Sequence, residues 1–150
     1  NLRSANLRYA DLSYADLRSA DLSYADLRSA DLSSAKNSEL AIAMTRILPE
    51  GELIGWKMCR DGKIVKLLIP KEAKRSHAFG RKCRAEYAEV LEITKGKRQL
   101  KTAVSTYDEN FKYEVGKTVR PIQPFSDNWV EECDPGIHFF ITKLEAENYA

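Results

Sequence analysis

From Leu2 to Leu32 a leucine returns at every fifth position: Leu2, Leu7, Leu12, Leu17, Leu22, Leu27 and Leu32. Five residues carry an α-helix through roughly 500°, so these leucines would scatter around a helix instead of forming a stripe. In a strand the odd step would send successive leucines to opposite faces. The period therefore belongs to a solenoid, a chain that turns a corner in each repeat. Alanine keeps the same beat at Ala5, Ala10, Ala15, Ala20, Ala25 and Ala30, followed by Asn6, Asp11, Asp16, Asp21, Asp26 and Asp31.

This A(D/N)LXX pattern resembles the pentapeptide repeat family. The resemblance implies a right-handed quadrilateral β-helix, one pentapeptide per side, with leucine and alanine pointing into a narrow bore. The other three positions face water and vary freely. Arg3, Arg8, Arg18 and Arg28 alternate with Ser13, Ser23 and Ser33, and Tyr9, Tyr14 and Tyr24 alternate with serines. Asp and Asn suit the corners, because their short side chains bond nearby backbone and tolerate unusual dihedrals. Four repeats per coil would stack residues twenty apart at about the 4.8 Å spacing of strands. Arg8 would then lie under Arg28, and Asp11 under Asp31, on a solvated face whose ion pairs are each worth under about 1 kcal/mol. Residues 14–23 recur letter for letter at 24–33, so opposite sides of the coil carry the same surface.

The composition changes after Ala35, which divides the chain into repeats at 1–35, a helical cap and linker at 36–50, and a β-rich part at 51–150. The last part is long enough to bury its own core. The whole chain carries a net charge of only +2, with a strong internal asymmetry. Ten Lys or Arg lie between Lys57 and Arg84 against Asp61 and Glu72, whereas residues 105–150 hold four basic residues against nine acidic ones. Three widely spaced cysteines, Cys59, Cys83 and Cys133, argue against a disulfide framework and for a reducing compartment. No apolar run reaches the eighteen or so residues of a membrane span, and the start is not signal-like. A soluble, cytoplasmic protein that makes no membrane contact is expected.

Beyond the repeats, Asn37 or Ser38 can cap a helix in which Leu40, Met44 and Ile47 share a face, ended by Pro49 and Gly51. That face would cover the last coil, since an open solenoid end needs a cap. Two β-rich runs flank Asp61-Gly62, a strong hairpin signal. Residues 71–82 read as a basic loop or short helix. Residues 83–93 fit either strand or helix spacing, and a bulged strand is preferred. A strand is expected around 100–106, a hairpin about Gly116-Lys117, and a strand at 137–141. Thr142 with Glu145 forms a capping box that opens a terminal helix. The aromatic core is expected to include Trp56, Tyr87, Phe111, Trp129, Phe139 and Phe140. The fold class is thus mainly β: the β-helix, then a β-rich α+β domain with a C-terminal helix.

The stretches LAIAMTRILPEG at 40–51, GWKMCRDGKIVKLLIP at 55–70, KRSHAFGRKCRAEYAEVLEI at 74–93, YEVGKTV at 113–119 and the W-x-x-x-C-x-x-G-I-H-F-F-I-T run at 129–142 resemble an uncharacterised domain found behind pentapeptide repeats in bacterial and phage proteins. That resemblance implies an architecture and no reaction.

Four chemistries compete, three in the β-rich part and one in the repeats. The run GIHFFITKLEAENY at 136–149 is similar to the strand and helix of ADP-ribosyltransferases, which would set His138 or Phe139 against nicotinamide. The H-G-T or H-G-S motif and a placed catalytic glutamate are missing. Cys133 and His138 are five apart, but no C-x-x-C or H-x-x-x-H pair supports a metal site. A basic run with Lys57, Lys66, Lys71, Lys74, Arg75, Arg81 and Arg84 could bind a polyanion, although lysines alternating along strands also mark a wet face. Mimicry of DNA toward topoisomerase, known for acidic pentapeptide rods, sits poorly with near-neutral repeats. The reading that fits best is a non-enzymatic scaffold or binding module: a rigid repeat stem presenting a β-rich domain to an unknown protein or polyanion, without cofactor or metal. Because the pattern starts mid-repeat at Asn1, a longer rod is expected, or end-to-end pairing of two copies through Leu2, Ala5 and Leu7.

Overall fold

The computed structural model describes residues 1–77, 79–128 and 131–149. Trp129, expected in the aromatic core, lies outside the described residues.

Across residues 1–36 one local rule recurs seven times. Ser4, Tyr9, Tyr14, Ser19, Tyr24, Ser29 and Ser34 all have φ between 56° and 63°. The alanine N–H that follows each of them donates to the carbonyl of the leucine three residues back, from Ala5 to Leu2 through Ala35 to Leu32. Negative then positive φ at the two central residues is the sign pattern of a type II turn. In front of each turn, Oδ1 of Asn1, Asn6, Asp11, Asp16, Asp21, Asp26 or Asp31 accepts the backbone N–H two residues on, at 2.8–3.2 Å. The acidic repeat position is therefore a turn device before it is a surface charge.

Twenty residues later the chain returns over itself. Parallel bridges join Asn6 to Asp26, Asp11 to Asp31 and Asp16 to Lys36. Between these levels the leucines close on one another: Leu22 and Leu27 are fully buried, Leu17 nearly so, and Ala25 and Ala30 fill the space beside them. Leu7, Leu12 and Leu32 pack against this cluster, while Leu2 stays 37% exposed.

Helix α1, Ser38–Thr45, follows directly. Asn37 stands at its N-cap in a left-handed conformation without a capping bond, because its side-chain amide donates instead to Asp16 Oδ1 at 2.8 Å. Leu40 and Met44, expected on the face toward the last coil, are both exposed. Among the described residues, Phe79 joins the repeat core from outside, 6% exposed and in one cluster with Leu22, Leu27 and Ala30.

The strands that follow are β1 (Leu53–Met58), β2 (Ile64–Ile69), β3 (Arg75–Ser76), β4 (Cys83–Ala85), β5 (Ala88–Lys95) and β6 (Arg98–Leu100). They continue with β7 (Thr102–Val104), β8 (Lys112–Glu114), β9 (Thr118–Val119) and β10 (Ile137–Phe139), before helix α2 (Lys143–Glu147). The molecule is mainly β, with a short C-terminal helix. The main sheet runs β1-β2-β5-β6, with β9 also on β5; β10-β4-β3 and β7-β8 form two smaller sheets.

β1 and β2 pair antiparallel from Leu53↔Ile69 to Met58↔Ile64 around a 3-10 turn, in which both Asp61 and Gly62 take positive φ. The 83–93 run is two strands broken at 86–87. The register of β2 against β5 slips between Lys66↔Glu92 and Leu67↔Val90, which leaves Leu91 as the extra residue, pushed outward and exposed. The hairpin expected about Gly116 does not form. β8 pairs with β7 and β9 with β5, because Val90 holds the intervening turn through bonds with Lys117 and Gly116.

Val65, Leu67, Ile69, Val90, Ile93, Ile137 and Phe139 make the buried centre. At Gly55 a Cβ would stand 2.5 Å from Phe139 Cδ2, so the phenyl ring lies where any other residue would put a side chain. Trp56 and Phe140 exchange backbone hydrogen bonds at 2.8 and 2.7 Å and so tie the end of β10 to β1. Thr142 Oγ1 then accepts the Glu145 N–H at 3.2 Å and donates to its carboxylate, starting α2.

Candidate functional site

The seven basic residues singled out in the sequence do not share a face. Lys66 stacks over Trp56, 5.5 Å from the ring centre. Lys71 meets Glu72 at 3.8 Å and Lys74 meets Asp127 at 3.4 Å. Arg75 donates to the carbonyls of Pro49, Gly51, Pro70 and Ala73, and so staples the segment before β1 to the β2–β3 loop. Arg81 pairs with Glu145 at the start of α2. Arg84 is fully buried on β4 and donates to the carbonyls of Ser126, Asn128 and Pro135, gathering the loop before β10 around one guanidinium. Lys57 points inward from β1 and is buried.

Two of the concavities combine aromatic and charged side chains. The larger, a cleft of about 750 Å³, lies where the repeats, the segment after α1 and the β-rich part meet. Its cations are Arg3, Arg28, Arg46, Arg81 and Lys82, set against Asp26 and Glu132. Arg28 bonds Asp26 two residues back and reaches Glu132 at 3.5 Å, so one side chain links the coil to the loop before β10. The Arg28 guanidinium holds the Asp26 carboxyl below its ordinary range, chiefly by that hydrogen bond. Lys82 donates to the Tyr149 hydroxyl at 3.2 Å and lies over the rings of Tyr107 and Tyr149. Tyr24 offers its ring at the rim, 78% exposed, with the Arg3 guanidinium 5.3 Å from its centre.

The smaller cavity, about 260 Å³, is reached by Lys57, Tyr107, Phe111, Cys133 and His138. Burial and three neighbouring cations, Lys57, Lys82 and Arg84, push His138 down to about 3, so its ring is neutral. Phe139, its neighbour on β10, faces the core against Gly55 and lines neither concavity. Burial pushes the thiols of Cys59 and Cys83 up to about 11 and about 12, which makes them poor nucleophiles. Among the described residues no three His, Cys, Asp or Glu side chains come together as a metal site requires.

Sequence reasoning passed over Phe79, Glu132 and Tyr149, which build the cleft. None belongs to a periodic pattern, and Phe79 takes φ 55° in a loop where that conformation favours glycine.

This geometry belongs to a pentapeptide-repeat chain: residues 1–36 match the model described as pentapeptide repeats (8 copies). Residues 44–146 match a family of unknown function, DUF5758, and the chain belongs to that family. No curated protein and no solved structure matches the chain. No helix among the described residues is long and apolar enough to cross a membrane.

Proposed function

We propose that the chain is a non-enzymatic binding module. Residues 1–35 serve as a right-handed quadrilateral β-helix and rigid stem, 36–50 as the cap and linker, and 51–150 as the partner-binding domain. The parallel bridges twenty residues apart and the turn at every fifth residue support the stem. The observation that carries the binding reading is the cleft. Five cations line it, Arg28 paired with Asp26 and Glu132 and Arg81 with Glu145, and with the exposed ring of Tyr24 at the rim and Phe140 and Tyr149 within they suit an acidic protein segment or another polyanion. A cytoplasmic setting belongs to the same proposal, supported by three free cysteines. So does pairing of two copies through the first coil, supported by the exposure of Leu2; a molecular mass that does not rise with concentration refutes that part.

The test titrates the full chain against a labelled polyglutamate and a labelled oligonucleotide over a range of salt. Arg3→Glu and Lys82→Glu are expected to weaken binding and flatten its salt slope by about one unit each. Lys71→Glu and Lys74→Glu, outside the cleft, should leave the slope nearly unchanged. Binding that ignores salt, or that Arg3→Glu and Lys82→Glu do not alter, refutes the assignment.

A further inference from the structure

In the smaller cavity one lysine amine and one imidazole nitrogen find no hydrogen-bond partner among the described residues. Alternation along β1 puts Leu53, Gly55 and Lys57 on the inward face, so a lysine occupies a position where an apolar side chain belongs. Lys57 is 9% exposed and has neither a hydrogen bond nor a carboxylate partner among the described residues. From β10, His138 brings a buried Nε2 that likewise has no hydrogen-bond partner among the described residues, while its ring is held at the Asp134 backbone.

The field at this end of the cavity is positive. The side chains acting on His138 are Lys57, Lys82 and Arg84, with no carboxylate among them. Asp108 and Asp134 do line the cavity, but Asp108 accepts the Asn110 N–H and Asp134 the Ser126 hydroxyl. Neither is among the groups acting on Lys57. The Lys57 stem is buried and its amine reaches the cavity, where burial lowers its pKa and no carboxylate acts on it, so an anion entering from outside would supply the missing counter-charge. One ammonium among apolar walls suits a monoanion with a hydrophobic body better than a phosphate, which demands several donors.

We propose that this cavity binds a small organic carboxylate, its carboxylate group at Lys57 and its apolar body against Phe111, Tyr113 and Ile137. The site lies wholly within the β-rich part and goes beyond the stem-and-cleft reading. It presents one lysine among apolar walls, which is how a short-chain or aromatic acid is distinguished from its amide.

The chain has only two histidines, His77 and His138, so proton spectra of the full-length protein resolve two imidazoles that a His138→Gln variant assigns. Acetate, hexanoate and benzoate are titrated in turn, with benzamide as the neutral match. At least one carboxylate should shift the His138 signals saturably and leave those of His77 in place, and benzamide should bind about tenfold more weakly than benzoate or worse. Lys57→Met, which keeps length and apolar bulk, should lose at least about tenfold in carboxylate affinity. No saturable shift with any of the three acids, equal binding of benzoate and benzamide, or undiminished binding by folded Lys57→Met would each overturn the proposal. Should Lys57→Met not fold, the benzoate–benzamide contrast on the unaltered chain decides.

Discussion

The two parts of this molecule solve the same problem, turning a chain and burying what the turn leaves inside, in opposite ways. In residues 1–36 every corner is local: an Asx bond, a turn closed three residues back and a leucine, repeated seven times. Tyrosine and serine, not glycine, hold the left-handed positions there. In the β-rich part positive φ falls mostly on glycines, Gly51, Gly62, Gly96 and Gly116, and the decisive contacts span tens of residues, such as Arg84 to Ser126 or Arg81 to Glu145. The repeats draw their specificity from reiteration, so each unit can be individually weak. The β-rich part draws it from single residues that nothing else duplicates.

The sharpest break of that contrast is a charge in the bore. Leu22→Lys should cost roughly 5 kcal/mol, because the residue is fully buried and no partner is at hand, whereas Ser19→Lys on the wet face should stay within about 0.5 kcal/mol. Denaturant unfolding of the two variants measures both, and equal losses would mean that the leucines do not define the interior.

Next in size is the arginine pair Arg84→Met and Arg18→Met. The first strips three carbonyls of their donor and should cost about 3 to 4 kcal/mol; the second removes only an exposed contact with Asp16 and should cost less than about 1 kcal/mol. Similar values for the two would erase the claim that one part depends on irreplaceable residues.

Acid separates the parts by titration. Burial is the main cause that holds His77 down to about 4 and His138 to about 3, against 6.5 when exposed. The unfolded chain therefore takes up protons first as pH falls. Their contribution is whole above pH 6.5 and shrinks toward pH 4, at a cost on the order of 3 kcal/mol for His77. In the repeats, Asp16, Asp21, Asp26 and Asp31 are lowered below 3.8, by the Arg18 backbone, the Ser23 hydroxyl, the Arg28 guanidinium and the Ser33 hydroxyl respectively. Their contribution is whole above 3.8 and is lost only as pH falls through the lowered values. Hydrogen exchange by segment should show the β-rich part loosening between pH 6.5 and 4 while the repeats hold; simultaneous loosening would contradict the assignment.

The smallest expected effect compares the left-handed positions directly. Gly96→Ala, at φ 58°, should destabilise by about 1 kcal/mol, whereas Tyr14→Gly, at φ 63°, relieves strain in the fold but loosens the unfolded chain and should change stability by less than that. A loss at Tyr14 as large as at Gly96 would show that the tyrosine ring does more than occupy the corner.

What could be read from the sequence divides along the same line. The leucine period, the Asx position, the Asp61-Gly62 turn and the Thr142–Glu145 cap all speak through neighbours a few residues apart, and all are visible without a structure. The density of the basic run does not say what each side chain meets. Nothing local says that Arg75 is consumed by four carbonyls or that Arg84 organises a loop some forty residues on. Phe79 is invisible for the same reason, since its partners Leu22 and Leu27 lie more than fifty residues earlier. The parting of β8 from β9 was hidden because Gly116 carries an ordinary turn signal, whatever strand then accepts its flanks.

Arg18 and Arg28 stand in identical ten-residue words, half a coil apart. Yet Arg28 clasps Glu132 and leans on Gly80, while the Arg18 side chain stays 76% exposed. The repeats thus carry two positions spelled alike, and their lettering holds no preference between them. The choice falls to the length of chain between the last coil and Phe79. Ten more repeat residues of the same wording after Lys36 would carry the β-rich part half a coil round, to a position where the inserted aspartate and arginine repeat those at Asp26 and Arg28. A protein built this way can change which way its domain faces by counting, without inventing a new interface.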